Sequence, residues 1–553
     1  MPLYLKAATL VLLCATPAAS LALERTDLLP SGETHLHITQ AAQLWKEFDV
    51  AYGRRLRADE RIQDFSAALG EKFKKKTADG DFTLEAHHLF EVLKLLKGEI
   101  ALVYKGADKS MFTVEKMYLA AAATGEEFQY ILKRTAWQKD QMEEQTLRKR
   151  EMFRGVEITR DIMRCETPTE KSYWLAWTHD TLLYGSGRDW VEKSIVRLQQ
   201  ENIKEPTESK LRCRFPLAQW IRSGLEKEEY DERVQTETLW NALGLLGVEQ
   251  YLLEVEIKNA EIVIDGTLTT SDLGTGLFSL LDTTSGDFQN NWIIPENASS
   301  FSFGKIDLLR FWNNLPGILK ASPPDTGRPI FGTIMSFQQA SGMDIGQDLL
   351  AYTDKQFTFA TVPVSTNQSL LVSLELNNGQ AMEQSLATLF ASPVAQSWPK
   401  YIDTSDFRDR TIHTQKSPES DARPLVLCVS GDYLLLGNDH LVRETILRQE
   451  NGINPESSIM QKAARHHAPE NAFGYGAMDH QTSSSLMYIK VSDTNFSTGI
   501  GFNGNLDRST KKEELGENEI SLNHLTSFLN TTYHFAEAIP GGIHHRIILE
   551  YEE

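Results

Sequence analysis

Cysteine is scarce in this sequence, and so is positive charge. Four cysteines in 553 residues cannot build the dense disulfide framework of a small secreted scaffold. The 56 lysines and arginines are outnumbered by 76 aspartates and glutamates, which gives a formal net charge of -20. Such a surface repels polyanions on average, so DNA, RNA and anionic membrane surfaces are poor candidate partners.

Long apolar runs are also lacking. Beyond the N-terminal segment, no stretch approaches the roughly 18 consecutive apolar residues that a membrane-spanning helix needs. Hydrophobic residues make up 41% of the chain and charged residues 24%, which is typical of a globular protein with an ordinary core. We therefore predict that the mature chain contains no transmembrane helix.

Motifs of well-known enzyme sites are missing as well. The sequence contains no Walker A, His-Glu-x-x-His, Gly-x-Ser-x-Gly or Cys-x-x-Cys motif. Gly499, Gly501 and Gly504 match the dinucleotide fingerprint by spacing, but a polar, charged run follows them instead of an amphipathic helix. We interpret this segment as a surface loop, and we predict no catalytic, cofactor-binding or metal-ligating residue.

Residues 1–22 have the pattern of a secretory signal peptide. Lys6 precedes an apolar run from Ala7 to Ala15, and small residues follow. Ser20 and Ala22 fit positions -3 and -1 of a cleavage site, so we predict cleavage after Ala22, or alternatively after Ser20. The predicted location is periplasmic or extracellular.

The mature chain would keep three cysteines in an oxidising compartment. Cys165 and Cys213 are the closer two in sequence and are the candidates for a single disulfide, which would leave Cys428 as a thiol. The alternative is that all three are buried thiols acting as small apolar side chains.

A long internal repeat runs through the sequence. Asp180 to Gly185 and Asp432 to Gly437 share the pattern Asp-x-Leu-Leu-x-Gly, and each is followed by Val-x-x-x-Ile and an arginine. Upstream positions align at a constant spacing, matching Gly125, Phe128 and Leu132 with Gly379, Met382 and Leu386. We therefore predict two copies of one unit, at about 28–200 and 293–450, each followed by a tail.

The periodicity of the unit predicts strands joined by short turns, with helices inserted between them. Helices are expected at Ala41–Phe48, from Glu126 to about Arg150, and near Leu525–Ala536. The predicted fold class is α+β: two tandem copies of one unit with mainly antiparallel sheets and inserted helices. The predicted domains are the signal peptide at 1–22, a first α+β repeat unit with its tail at 23–290, and a second at 291–553.

Two dipeptides in the repeat mark tight hairpin turns. His179-Asp180 and Gly431-Asp432 stand between apolar strands, and these residue types tolerate the positive φ that such turns demand. Substitution of Gly185 or Gly437 by a β-branched residue is expected to destabilise the fold by about 1 to 3 kcal/mol if the glycine holds a positive φ.

The opening segment and the repeated hairpin carry a family resemblance. Leu29-Pro30-Ser31-Gly32-Glu33-Thr34 is followed by a predicted strand and a Trp-bearing helix. Together with the Asp-x-Leu-Leu-x-Gly hairpins, this layout resembles the large secreted bacterial proteins of unknown function that have a Leu-Pro-x-x-Thr opening strand. The resemblance implies an envelope location and no established activity, and it carries over no catalytic residue.

Two groups of side chains were candidates for chemistry. His35 and His37 share a strand face at ligand-like spacing, but no acidic or cysteine partner stands near them in sequence, so we interpret them as solvent-facing. Trp174 and Trp177 could stack on sugar rings, but their spacing puts them on opposite faces of a strand, so core packing is the preferred interpretation.

The positions that match between the copies are almost all apolar, glycine or turn residues, which indicates a shared framework and not a shared polar site. We therefore expect an exported, non-enzymatic binding or scaffold protein of the cell envelope, with an unknown protein or glycan partner and no cofactor. The alternatives are a polysaccharide-binding or polysaccharide-acting protein, and a peptidase or peptidase inhibitor. A functional surface is expected between the copies or on the tails, 201–290 and 451–553, with Ser492 to Gly516 as the mobile loop.

Overall fold

The computed structural model describes most of the chain after residue 22. The described ranges are 23–30, 34–49, 95–106, 114–141, 147–163, 171–204, 208–225, 230–258, 260–286, 291–364, 367–395, 402–415, 424–466, 468–482, 487–491, 496–500, 519–521 and 529–551, with isolated positions between 53 and 93 and at 206. The chain forms two units: the first comprises residues up to 216 together with 250–267, and the second comprises 217–249 and the residues from 268 onward.

The first unit is an antiparallel sheet. Its strands are β1 (Thr34–Ile38), β2 (Ile100–Gly106), β3 (Val114–Ala122), β4 (Leu147–Phe153), β5 (Val156–Met163), β6 (Lys171–Thr178), β7 (Thr181–Gly185), β8 (Leu211–Phe215), β9 (Val248–Lys258) and β10 (Glu261–Thr270). They lie in the order β10-β9-β8-β1-β2-β3-β7-β6-β5-β4. Strand β1 is therefore interior to the sheet, which places its side chains among neighbours on both sides.

The second unit is also built on an antiparallel sheet. Its strands are β11 (Ser300–Lys305), β12 (Thr353–Val364), β13 (Asn367–Leu376), β14 (Ile402–Phe407), β15 (Arg410–Gln415), β16 (Leu425–Ser430), β17 (Tyr433–Asn438), β18 (Ala472–Asp479), β22 (Leu529–Ile539) and β23 (Gly542–Tyr551). The order is β23-β22-β18-β11-β12-β13-β17-β16-β15-β14. This strand order corresponds to that of the first unit, strand for strand. A separate three-stranded sheet joins β19 (Met487–Val491), β20 (Phe496–Ile500) and β21 (Glu519–Ser521).

Helices flank both sheets. The first unit contains α1 (Ala41–Phe48), α2 (Gly125–Gln141) and α3 (Arg188–Gln200). The described helices of the second unit are α4 (Leu217–Leu225), α5 (Tyr230–Ala242), α6 (Leu308–Ala321), α7 (Pro324–Ser341), α8 (Ile345–Asp348), α9 (Gly379–Ala391), α10 (Asp439–Asn451) and α11 (Ser458–Ala463). None of the described helices combines the length and the apolar character needed to cross a membrane.

Each unit has its own apolar core. In the first, helix α3 packs Val191, Ile195 and Leu198 against sheet residues that include Ile158 and Leu183. In the second, helix α10 buries its apolar stripe against the sheet in the same manner, through Leu441, Val442 and Ile446. The spacing of these residues along α3 and α10 puts them on one helix face, so burial of that face holds each helix on its sheet.

The tight turns follow the sequence prediction. His179 and Asp180 have φ values of 48° and 50° at the β6–β7 turn, and Gly431 has a φ of 60° at the β16–β17 turn. Two-residue turns of this kind match the twist of the strands that they join. Neither Gly185 nor Gly437 has a positive φ, so the condition attached to the predicted destabilisation is not met.

The predicted fold class is also wrong. The described residues form mostly antiparallel β-sheet, which a simple α+β arrangement of two tandem copies with inserted helices does not describe. Part of the reason is that segments expected to be helical are strands. The helix expected to reach Arg150 ends at Gln141 and strand β4 follows it, while the segment near Leu525–Ala536 contributes strand β22. Alternate residues of β22 are buried from Leu529 to Phe535, which is the period of a strand with one face in the core.

Candidate functional site

A buried polar cluster lies in the first unit, around the start of strand β2. Glu99 directly precedes β2, and its carboxylate accepts hydrogen bonds from Arg25 Nη1 at 2.6 Å and from His37 Nε2 at 2.9 Å. Arg25 Nε also donates to the Thr181 hydroxyl at 3.3 Å. The three charged or titratable residues are 1%, 3% and 7% exposed, for Arg25, Glu99 and His37 respectively.

The charges and hydrogen-bonding groups of this cluster compensate one another. Burial alone would raise the pKa of Glu99, but hydrogen bonds from His37 and Arg25 and the charge of Arg25 outweigh burial and lower it. Glu99 is therefore held as a carboxylate between its two donors. The arrangement stabilises the first unit and presents no group to solvent, so we interpret it as structural.

The interpretation of His37 as solvent-facing is therefore wrong. His37 lies opposite Ala101 of β2 and Arg212 of β8, so both edges of its strand are covered. Its acidic partner, Glu99, is 62 residues away in sequence, which is why the local spacing did not reveal it. His35 on the same strand is half-buried and contacts the Pro30 carbonyl oxygen at 3.2 Å.

The two tryptophans are packed against protein groups. Trp177 donates through Nε1 to the Ala123 carbonyl at 2.7 Å and stacks on Phe128 at a centroid distance of 6.4 Å. The guanidinium carbons of Arg160 and Arg188 lie 5.2 Å and 5.5 Å from the Trp174 ring centroid. These contacts occupy surfaces that a stacked sugar would need.

Some of the other candidate residues named from the sequence lie within the described residues, and others lie outside them. Gly499 lies within strand β20, opposite Tyr488, while Gly501 and Gly504 fall outside the described residues. Cys165 also lies outside them, so its pairing with Cys213 stays a prediction. Most of the loop expected at Ser492–Gly516 is likewise outside the described part of the chain.

A pocket in the second unit brings together polar side chains that sequence reasoning did not connect. It has a volume of about 450 Å³ and is lined by Glu296, Asn297, Glu444, Glu456 and Ser458, which we call the acidic pocket. All five residues are exposed. They come from the segment before β11, from helix α10, and from the start of α11, so only the tertiary fold assembles them.

One lining residue of the acidic pocket, Glu444, forms an ion pair with a buried arginine. Arg448, on helix α10 one turn after Glu444, is only 6% exposed. Its Nη1 lies 3.6 Å from Glu444 Oε1, which is an ion-pair distance too long for a good hydrogen bond. Its Nη2 donates to Thr445 Oγ1 at 2.8 Å and to the Ile293 carbonyl at 3.4 Å, whereas Nε and Nη1 find no hydrogen-bond acceptor among the described residues.

Such incomplete pairing is costly for a buried cation. Burial lowers the pKa of Arg448, and the Glu444 carboxylate opposes that shift. Ser457, between the lining residues Glu456 and Ser458, is 1% exposed, and in the described part of the chain its hydroxyl has no hydrogen-bond partner.

The corresponding arginine of the first unit has the partner that Arg448 lacks. Arg197 follows Val191 and Ile195 of helix α3 in the same pattern in which Arg448 follows Val442 and Ile446 of helix α10. Arg197 Nε donates to Glu201 Oε1 at 3.4 Å, and Nη1 donates to the Asp27 carbonyl. The residue four positions after Arg448 is Gly452, at a φ of 62°, so no side chain reaches back to Nε.

The arginine is shared between the two copies of the repeat, whereas the residue four positions after it is not. The sequence feature that could have revealed this difference is Gly452 at the position that corresponds to Glu201. This change removes an (i, i+4) acceptor from an otherwise matching helix end. Burial of Arg448, in contrast, depends on tertiary packing and has no local pattern.

Comparisons with known proteins add little. No family model matches the chain, and no curated protein matches it either. One solved structure, described as "Structure of crystal form I of TP0453", is 8% identical and aligns over 45% of this chain and 79% of that one, with a TM-score of 0.21. A similarity that weak carries no argument about fold or function.

Proposed function

We propose that this chain is an exported protein of the cell envelope that binds a small polar ligand in the acidic pocket and does not convert it. The observation that carries the proposal is the acidic pocket itself, whose carboxylates, amide and hydroxyl come from three separate segments of the second unit. The pocket volume of about 450 Å³ lies in the range of small-molecule sites. Export is supported by the signal-peptide pattern of residues 1–22.

Two features favour binding over catalysis. The pocket lining contains carboxylates, an amide and a hydroxyl, but no histidine or cysteine. The buried His37–Glu99 pair of the first unit is engaged with Arg25 and is not aimed at solvent. A rigid, pre-formed set of hydrogen-bonding groups is what a binding site requires.

A glycoside hydrolase is the second candidate, because carboxylates around one pocket are the groups that such enzymes use. Glu296, Glu444 and Glu456 supply three of them. The two functions differ in a direct observable, since an enzyme would release a product from its ligand.

A thermal-shift screen tests the proposed function. The mature protein is heated with neutral oligosaccharides, amino acids, polyamines and divalent cations, and products are followed by mass spectrometry. We expect one ligand class to raise the Tm of the wild type but not of the Glu444→Gln, Glu456→Gln double variant. Glu470→Gln, at an exposed residue outside the pocket, is the matched control and should respond like the wild type.

Two results would overturn this function. If no ligand class shifts the Tm, the pocket is not a binding site. If the chain turns over one of the probes, it is an enzyme.

A further inference from the structure

Strands β4 and β14 end the sheets of the first and second units. Among the described residues, β4 pairs only with β5, and β14 pairs only with β15. The outer side of each strand therefore carries backbone N–H and C=O groups that no described strand takes up. Such a strand edge is a template on which a strand of another chain can pair.

The two edge strands are equivalent in the two units. Each is the first strand of a hairpin with a two-residue turn, Arg154-Gly155 in the first unit and Arg408-Asp409 in the second, and all four turn residues have a positive φ. Phe153 ends β4 directly before its turn, and Phe407 ends β14 in the same way. The charges of the two strands can therefore be compared position by position.

The charges of the two edge strands are opposite. Strand β4 carries three basic residues and one acidic residue over Arg148–Glu151, although the chain as a whole has a net charge of -20. The charged residues of β14 are Asp403 and Asp406. Four positions before the terminal phenylalanine, Lys149 of β4 stands where β14 has Asp403, and both side chains are exposed.

We propose that β4 of one copy of the chain pairs edge to edge with β14 of a second copy, so that the protein associates head to tail. Two β4 strands would bring basic side chains together, and two β14 strands would bring carboxylates together, which destabilises a strand pair. Only the unlike edges bring opposite charges together. Because two different surfaces meet, the association extends beyond two copies unless it closes on itself.

The faces of the two sheets are compatible with this pairing. The strand neighbour of Arg150 lies opposite the buried Ile158, and the strand neighbour of Asp406 lies opposite the buried Ile412. Arg150 and Asp406 therefore both point away from the face that carries the core isoleucine. Pairing with Arg150 opposite Asp406 continues the core-bearing face of one sheet into that of the next copy.

Two further observations favour a partner strand on β4. The Arg150 guanidinium is 3.6 Å from the Glu157 carboxylate, which is too long for a good hydrogen bond, and the Arg150 side chain is 59% exposed. Met152, on the same face of the strand, is 66% exposed, and a strand beside it would cover this apolar side chain. An unrelated acidic peptide would fit β4 but would leave β14 without a partner, whereas a second copy supplies both edges.

Sedimentation velocity of the mature protein over a concentration series tests this inference. At low salt we expect the average mass to rise above that of the monomer as the protein concentration increases. At about 1 M salt the screening length falls to about 3 Å, so the mass should move back towards the monomer. An interface of one strand pair is small, so the series must reach high concentrations.

Charge reversal identifies the surfaces. The variant Lys149→Asp, Arg150→Asp makes β4 acidic, and the variant Asp403→Arg, Asp406→Arg makes β14 basic. Each variant alone should stay monomeric, because both of its edges then carry the same sign. An equimolar mixture should regain association, because each variant offers the edge that the other requires.

Two control variants make the same changes in net charge outside both edge strands. They are Lys193→Asp, Arg328→Asp and Glu249→Arg, Glu470→Arg, all at exposed residues. Both should associate like the wild type.

Several results would overturn the proposal. A wild type that stays monomeric at every concentration at low salt has no such interface. Edge variants that associate like the wild type would place the contact elsewhere, and loss of association in the controls would show a general effect of net charge. Loss in each edge variant without recovery in the mixture would reject pairing of the unlike edges. If circular dichroism shows that a reversed variant does not fold, Lys149→Gln, Arg150→Gln decides, because it should weaken association at least tenfold and an unchanged mass series would contradict the role of β4.

Discussion

Arg25 and Glu99, 74 residues apart in sequence, form an ion pair at 2.6 Å in which both side chains are at most 2% exposed. A buried pair of this kind is sensitive to loss of one partner, because the other is left as an uncompensated charge.

Glu99→Gln should therefore destabilise the first unit strongly, by about 3 to 5 kcal/mol, as measured by urea unfolding. The double variant Arg25→Met, Glu99→Leu removes both charges and should be less destabilised than Glu99→Gln alone. Glu208→Gln, which removes an exposed carboxylate beside Lys210, serves as the control and should leave stability nearly unchanged. A single Glu99→Gln variant as stable as the wild type would contradict the structural role of this pair.

His534 should make the second unit sensitive to acid. Burial lowers its pKa to about 4, and its Nε2 lies 3.2 Å from the Ser302 hydroxyl. Because the folded-state pKa is below the value of roughly 6.5 for an unfolded chain, the associated stability is present above pH 6.5 and is lost as the pH falls through 4.

We expect His534→Gln to reduce the loss of stability between pH 6.5 and pH 4 by on the order of 2 kcal/mol, measured as the difference between unfolding free energies at the two values. His440→Gln, at an exposed histidine, provides the control for the substitution itself. Identical profiles for wild type and His534→Gln would show that this histidine does not titrate as described.

Gly437 should not tolerate replacement even by alanine, whose side chain is a single methyl group. It has no positive φ, but a Cβ atom built there would collide with the Leu370 carbonyl oxygen across the β13–β17 ladder. Gly437→Ala is therefore expected to lower the free energy of unfolding by about 1 to 3 kcal/mol through overpacking. Gly317→Ala in helix α6 meets nothing within 4 Å and should be neutral or stabilising by up to about 1 kcal/mol. Equal melting temperatures for the two variants would disprove the crowding argument.

Export should leave Leu23 as the mature N-terminus, or Leu21 if the earlier cleavage site is used. The backbone nitrogen of Leu23 donates to the Asn202 carbonyl at 2.9 Å, an interaction that a new terminal ammonium can keep. N-terminal sequencing of protein isolated from the native cell checks this expectation. Recovery of a chain that still begins at Met1 would contradict the prediction of export and cleavage.

Local signals in the sequence predicted local structure well. The bounds of helix α1 match the expectation, and the hairpin at His179-Asp180 has the predicted positive φ angles. Both are set by neighbours within a few residues, such as a run of helix-forming residues or a pair that tolerates left-handed backbone.

Features set by distant contacts were not predictable. The segment from Leu529 was expected to be helical, but it is a strand with alternate residues buried, because it pairs with strand β18. Likewise His37 and Arg448 each look like surface residues in sequence, and each is buried by residues far away along the chain. The candidate site was missed for this reason, since Glu296 and Glu456 meet only in the folded unit.

The segment from Leu23 to Leu29 completes the core of the first unit, and this sets a limit on how the protein can be produced in the laboratory. Leu23, Leu28 and Leu29 belong to that core, and Arg25 neutralises Glu99 within it. An expression boundary drawn between Leu29 and the first strand, which begins at Thr34, would discard three apolar side chains and leave a carboxylate without its counter-charge. Affinity tags and trimmed versions should therefore start no later than Leu23, and any tag should be joined through a flexible spacer upstream of that residue.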